Sequence, residues 1–283
     1  MLKTLFITLA LLATGFVHAE DRWMSIPPAV QMPDAAESGS ASVNGIEMYY
    51  AIYGDAAGIP VLMVHGGLAH ADIWSGLIAE LAADYKVIVA DTRGHGRSTN
   101  DGSAYSYDLL TQDYVALLDH LKVEKVHLVG WSDGSNIGYT MSTSAPTRIA
   151  SHFAHAGNVT LAGINPEAET SEVFGAYVGM MMGDYSTMSS TPAQFEPFLN
   201  DIITMWSTEK LGGMEALAKI DVPTLVVQSQ YDEAILPAHS KEMAEAIPNG
   251  ALLTLENVSH FATFQAPAEY VVAIKAFLKQ QGG

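Results

Sequence analysis

The sequence predicts an α/β fold, a mostly parallel central sheet flanked by helices, with a helical lid inserted late in the chain. Three observations predict it. Short apolar runs recur at 61–64, 86–90, 126–129, 224–227 and 252–255, each bounded by turn residues, and 46–53 reads as a further strand. Runs apolar on both faces suit strands buried in a parallel sheet, because a half-exposed strand would alternate instead. Stretches with helical spacing separate them at 74–83, 107–121, 136–144, 240–246 and 268–278, and strands alternating with helices indicate crossovers that cover both faces. The third observation is a break in this rhythm. Residues 159–216 offer no convincing strand and carry Met180, Met181, Met182, Met188, Met205 and Trp206 in a helical context.

The chain divides accordingly. Met1, Leu2 and Lys3 give a basic start, an apolar run follows to Phe16, and Val17-His18-Ala19 has the small-x-small form of a signal-peptidase site. Cleavage before Glu20 is expected, which implies a periplasmic or secreted protein. The competing reading is an anchor, but the run is shorter than the roughly 20 residues a spanning helix needs. Residues 20–42, rich in Pro, Ser and Ala, read as a leader crossing the surface. The core is then 43–158 with 217–283, and the lid is 159–216. A chain of 283 residues is long enough for one large core.

Composition excludes several functions. Cysteine is absent, so burial and not cross-linking must hold the fold, and no thiol chemistry is open to it. The net charge of −18 repels nucleic acid and anionic lipid headgroups, which rely on Lys and Arg to meet phosphates. Neither nucleic acid nor membrane is expected as a partner, and the acidity reads as solubility. No later segment is long and apolar enough to span a bilayer.

The sharpest motif is Gly130-Trp131-Ser132-Asp133-Gly134, directly after the run 126–129 and before a helical stretch. A serine hydroxyl attacks only if a base takes its proton and its oxygen stands clear. A strand-to-helix turn clears the oxygen at the cost of strained backbone, which small residues two before and two after permit. Alone the motif is weak, and its setting makes it specific. His65-Gly66-Gly67 follows the run 61–64. Glycines there would let backbone N–H groups approach an oxyanion, the expected donors being those of Gly67 and Asp133, with Leu68 as the alternative to Gly67. The His65 side chain reads as structural.

An acid and a histidine lie past the ends of two later strands: Asp232 after 224–227 and His260 after 252–255. Open α/β sheets place their sites at that edge. Ser132, Asp232 and His260 therefore form the candidate triad, with Glu233 as the alternative acid. The chain holds ten histidines, so position must select the base. His120 and His127 fall within a helix and a strand, while His152 and His155 end a possible strand and are pocket candidates. The charged turn from Asp91 to Ser98 reads as structural, with Asp91 pairing to Arg93.

With these pieces the chain, from about Val43 onward, closely resembles the α/β-hydrolase family. The Trp-Ser-Asp elbow is similar to a branch with valacyclovir-hydrolase-like esterases and enol-lactonase-like enzymes. Dehalogenases and epoxide hydrolases of this family carry Asp where Ser132 stands. The resemblance implies two-step acyl transfer on a small-molecule ester or lactone, without metal or organic cofactor. Carbon–carbon bond hydrolysis, amide hydrolysis and cofactor-free peroxidation remain open, as does a non-catalytic binding role. Oligomeric state is not indicated. The lid is expected to choose the substrate, with Leu68, Trp131, His155, Met181 and Phe261 lining the pocket.

Overall fold

The computed structural model describes residues 21–208 and 211–282. The expected signal segment, 1–19, lies outside the described residues. An eight-stranded sheet forms the centre, in the order β1-β2-β4-β3-β5-β6-β7-β8. The first half of the chain supplies β1 (Glu37–Val43), β2 (Ile46–Tyr53), β3 (Val61–Val64), α1 (Ser75–Ala82), β4 (Val87–Ala90) and α2 (Tyr107–His120). Then come β5 (Val126–Trp131), α3 (Asp133–Ser144) and β6 (Ile149–His155). The insertion holds α4 (Glu172–Met188), α5 (Phe195–Thr208) and α6 (Gly213–Leu217). The chain closes with β7 (Thr224–Ser229), α7 (Pro237–Ala246), β8 (Gly250–Leu255), α8 (Ala262–Gln265) and α9 (Pro267–Gln280).

From β4 to β8 the neighbouring strands are parallel, while β2 runs antiparallel to both β1 and β4. The strands β3, β4 and β5 are buried along their whole length, as runs apolar on both faces require. After β3 the chain steps outward to β4, then crosses back to lay β5 on the other side of β3. A cleft opens where the winding reverses, at the carboxyl ends of the strands. The ladder pairs Val64 with Gly130, so the glycine loop after β3 and the serine turn after β5 emerge side by side.

Two strands depart from the sequence reading. The supposed leader contains β1, an edge strand paired to β2 along its length, with only Ala41 and Val43 buried. Edge pairing is made by backbone groups, so a Ser- and Gly-rich run can join without an apolar face. The core therefore begins at Glu37, ahead of residue 43. The strand β6, read from sequence only as a possible strand ending at His152 and His155, is central and almost wholly buried; its Ser and His residues had weakened the apolar pattern.

The charged turn is structural, but its pairs differ from expectation. Asp91 accepts from the Ala71 and Arg97 backbone N–H groups, each at 2.7 Å, and from Arg97 Nε at 2.7 Å. Burial alone would raise its carboxyl; Arg97 and these N–H donors hold it below its ordinary value. Arg93 turns instead to Asp113, at 2.7 and 2.8 Å, and to Asp101 at 2.8 Å.

Candidate active site

Ser132 sits at the junction of β5 and α3 with φ 53° and ψ −119°. A side chain other than glycine pays strain at positive φ, and such strain persists only where surroundings over-determine it. They do so here. The Ser132 N–H donates to the His155 carbonyl at 2.8 Å, and Ser135 Oγ bonds the Gly130 and His155 carbonyls at 2.8 Å each. The flanking glycines are sterically required: a Cβ on Gly134 would stand 1.9 Å from the Val64 carbonyl oxygen, and one on Gly130 2.5 Å from the Gly134 oxygen.

The turn after β8 brings His260 across the cleft. Its Nε2 lies 3.0 Å from Ser132 Oγ, and its Nδ1 lies 2.9 Å from Asp232 Oδ1. Asp232 Oδ1 also accepts the N–H groups of Ala234 and Ile235, at 3.0 and 2.9 Å, which fixes the carboxylate. Of the two acids considered, Asp232 is the one at the imidazole. Glu233 takes the His260 backbone N–H at 2.9 Å and so holds the loop. Burial alone would lower the His260 pKa; the charge and hydrogen bond of Asp232, with Glu233 and Asp133 adding, raise it above the ordinary imidazole value.

The glycine loop passes directly against the serine, since a Cβ on Gly66 would stand 3.0 Å from Ser132 Cβ. The Gly67 carbonyl accepts from Tyr177 of α4 at 2.6 Å, which fixes the following peptide from the lid side. His65 is structural, as expected: its Nε2 accepts the Thr92 N–H at 2.9 Å, so its Nδ1 carries the proton toward the Gly66 carbonyl at 2.7 Å. Burial, with the neighbouring His95, pushes its pKa down to about 3, so the ring is neutral.

A cavity of about 810 Å³ opens over Ser132, Asp133 and His260. Val159, Ile164, Phe174, Val178, Leu199 and Trp206 supply much of its apolar wall, largely from the insertion. None of the five residues expected to line it does so. Leu68, Trp131, Met181, Phe261 and His155 are all buried outside the lining. Helical period explains Met181: α4 buries Tyr177, Met181 and Tyr185 on one stripe, while Phe174, Gly175 and Val178 meet the cavity. Trp131 donates from Nε1 to the His260 carbonyl at 2.8 Å and packs edge-on to Phe261, so both brace the base from behind. His155 bonds Ser229 Oγ at 3.0 Å and packs on Tyr270, and Leu68 takes the left-handed conformation, φ 67°, beneath the loop. His152 likewise packs on Tyr139, away from the cavity.

The sequence reading missed how Asp133 is held. Trp206 Nε1 of α5 donates to both its carboxylate oxygens, at 3.0 and 2.8 Å, and Tyr107 OH donates at 2.7 Å. Burial raises the Asp133 carboxyl, and these donors with His260 oppose it. Only the fold could have linked a lid tryptophan to the serine turn 73 positions away. Among the described residues no cluster of His, Asp and Glu is arranged to hold a metal ion, and no helix is long and apolar enough to cross a membrane.

A model of the α/β hydrolase fold matches residues 59–199. The chain belongs to the α/β-hydrolase family. It is 26% identical to 3-oxoadipate enol-lactonase 2 of Acinetobacter baylyi, over 88% of this chain and 99% of that protein. It is also 26% identical to rhodomycin D methylesterase DnrP of Streptomyces peucetius, over 73% and 86% of the two chains. Among solved structures, the enol-lactonase from Burkholderia xenovorans superposes with a TM-score of 0.65 at 24% identity, covering 85% of this chain and 99% of that one.

Proposed function

We propose that the protein is a serine hydrolase that cleaves uncharged carboxylic esters or lactones carrying an apolar acyl group. The observation that carries this reading is the unbroken relay from Ser132 Oγ through His260 to Asp232, at 3.0 and 2.9 Å, opening into a largely apolar cavity. In the first step His260 Nε2 accepts the Ser132 proton as Oγ attacks the carbonyl carbon. The carbonyl π pair moves to oxygen, and the backbone N–H groups of Gly67 and Asp133 donate to that oxyanion. The imidazolium, steadied by Asp232, gives its proton to the departing alkoxide. Water then attacks the acyl-serine with His260 again as base, releasing the acid and free Ser132.

The wall supports an uncharged acyl group. Asp133 and Glu169 are its carboxylates, and among the described lining residues none is Lys or Arg. An anionic acyl group would meet like charge from both, with no Lys or Arg to offset it. The similarity to an enol-lactonase and a methylesterase supports ester and lactone carbonyls as the substrate class. The exported location expected from residues 1–19 belongs to the same proposal.

A fluorophosphonate probe tests the mechanism. It is expected to label Ser132 covalently in the native chain and to leave Ser132→Ala unlabelled and without turnover, with an unchanged circular dichroism spectrum. No label on Ser132, or turnover retained in the variant, would overturn the proposal.

A further inference from the structure

The stretch ahead of β1 does more than cross the surface. Residues 21–25 lie on the back of the two turns that carry the acid and the base. Arg22 donates from Nη2 to the Glu256 carbonyl at 3.0 Å and from Nε to the Asn257 carbonyl at 2.9 Å. The same guanidinium is anchored on the Glu269 carboxylate of α9, at 2.9 and 2.5 Å. Asn257 has φ 52°, a left-handed conformation at the bend that turns β8 toward His260, three residues on. Arg22 thus ties down the carbonyl of a conformationally costly residue.

The acid side is held from the same segment. The Trp23 ring stacks on Tyr231, the residue before Asp232, with centroids 4.6 Å apart and planes 26° apart. Between the two contacts, Gln265 gathers the loop: its Oε1 accepts the Ser259 N–H at 2.7 Å, and its Nε2 donates to Ser259 Oγ at 3.0 Å and to the Ser25 carbonyl at 2.9 Å. The Tyr231 N–H donates to the Val258 carbonyl at 3.0 Å, so the two turns already touch, and the segment covers the join.

We infer that Arg22 and Trp23 are positioning residues, forming a clip that keeps Asp232 and His260 in register for proton transfer. The inference rests on the proposed hydrolase reading. It follows from reach: neither side chain lines the cavity, yet each contacts a residue within three positions of a triad member. Imidazole-to-carboxylate alignment tolerates little displacement, and a misplacement of about 1 Å can cost on the order of a hundredfold in rate. The charged and titratable groups around His260 are Asp232, Glu233, Asp133 and His155, the last kept neutral by burial. Loosening the join weakens chiefly the Asp232 share, so the imidazolium loses support and the base titrates lower.

The test uses the full chain as Arg22→Ala, Trp23→Ala, the double variant, and Lys275→Ala; Lys275 lies on α9 like Glu269, and its loss breaks a 2.7 Å pair to Asp84, just after α1, and touches neither turn. Hydrolysis of p-nitrophenyl butyrate is followed across pH, with fluorophosphonate labelling and thermal unfolding alongside. The double variant is expected to lose about tenfold in kcat with KM within about twofold. The acidic limb of its kcat/KM profile moves to lower pH, while Lys275→Ala changes neither. An unmoved limb, with any loss of kcat matching the unfolded fraction, would overturn the inference while labelling of the native chain left the hydrolase reading intact. A native chain that is neither labelled nor active overturns both.

Discussion

Gly175→Leu should shorten the acyl chains the protein accepts. Gly175 lines the cavity on α4, and a Cβ built there meets nothing within 4 Å, so a longer side chain enters open space. A buried methylene is worth about 0.8 kcal/mol, or roughly fourfold in kcat/KM. Across p-nitrophenyl esters of increasing chain length, the native protein should gain about that factor per carbon until the cavity fills. Leucine adds four side-chain carbons to the cavity wall at that point. The longest esters accepted should then lose up to about 3 kcal/mol, roughly two-hundredfold, while the acetate ester changes little. Misfolding would not mimic this pattern, because replacing glycine within a helix stabilises it by roughly 0.5 kcal/mol and should raise Tm. A chain-length profile identical in the two proteins would refute the assignment of this cavity to the acyl group.

Asp232→Asn should lower kcat by about 10³- to 10⁴-fold, because the imidazole loses the partner that fixes its tautomer and steadies its charge. The base must be neutral to act, so native activity should fall as pH drops through the raised His260 pKa. Without the Asp232 charge that pKa falls, and the residual activity should persist to lower pH; an acidic limb that stays in place or moves up contradicts the relay. Arg93→Ala should destabilise the fold by about 3–5 kcal/mol in urea, because it strands the buried Asp113 carboxylate. A loss under about 1 kcal/mol would mean that the pair is dispensable.

The sequence alone determined what depends on local pattern. The strands at 46–53 and 61–64 fall where their apolar patterns put them, because burial on a sheet leaves a direct mark on residue type. Gly130 and Gly134 were legible around Ser132 because the strained turn admits no larger side chain at either place. Asp232 and His260 could be picked out because each follows a strand by a short step. Where the signal is backbone pairing, as in β1, pattern gave no warning, and for a polar central strand, as in β6, it gave only a faint one.

Tertiary structure decided everything that joins distant stretches of chain. It set which face of α4 met the cavity, so Met181 went inward while Gly175 and Val178 became wall. It laid Trp206 on Asp133, and it carried Arg22 to the back of the His260 loop, 235 positions from the Asn257 carbonyl it bonds. Composition records that a residue is apolar or charged, but its partner is chosen by three-dimensional packing. The serine and its glycines were written locally because strain is local; the shape of the pocket and the bracing of the base were not, because they are made of contacts between segments.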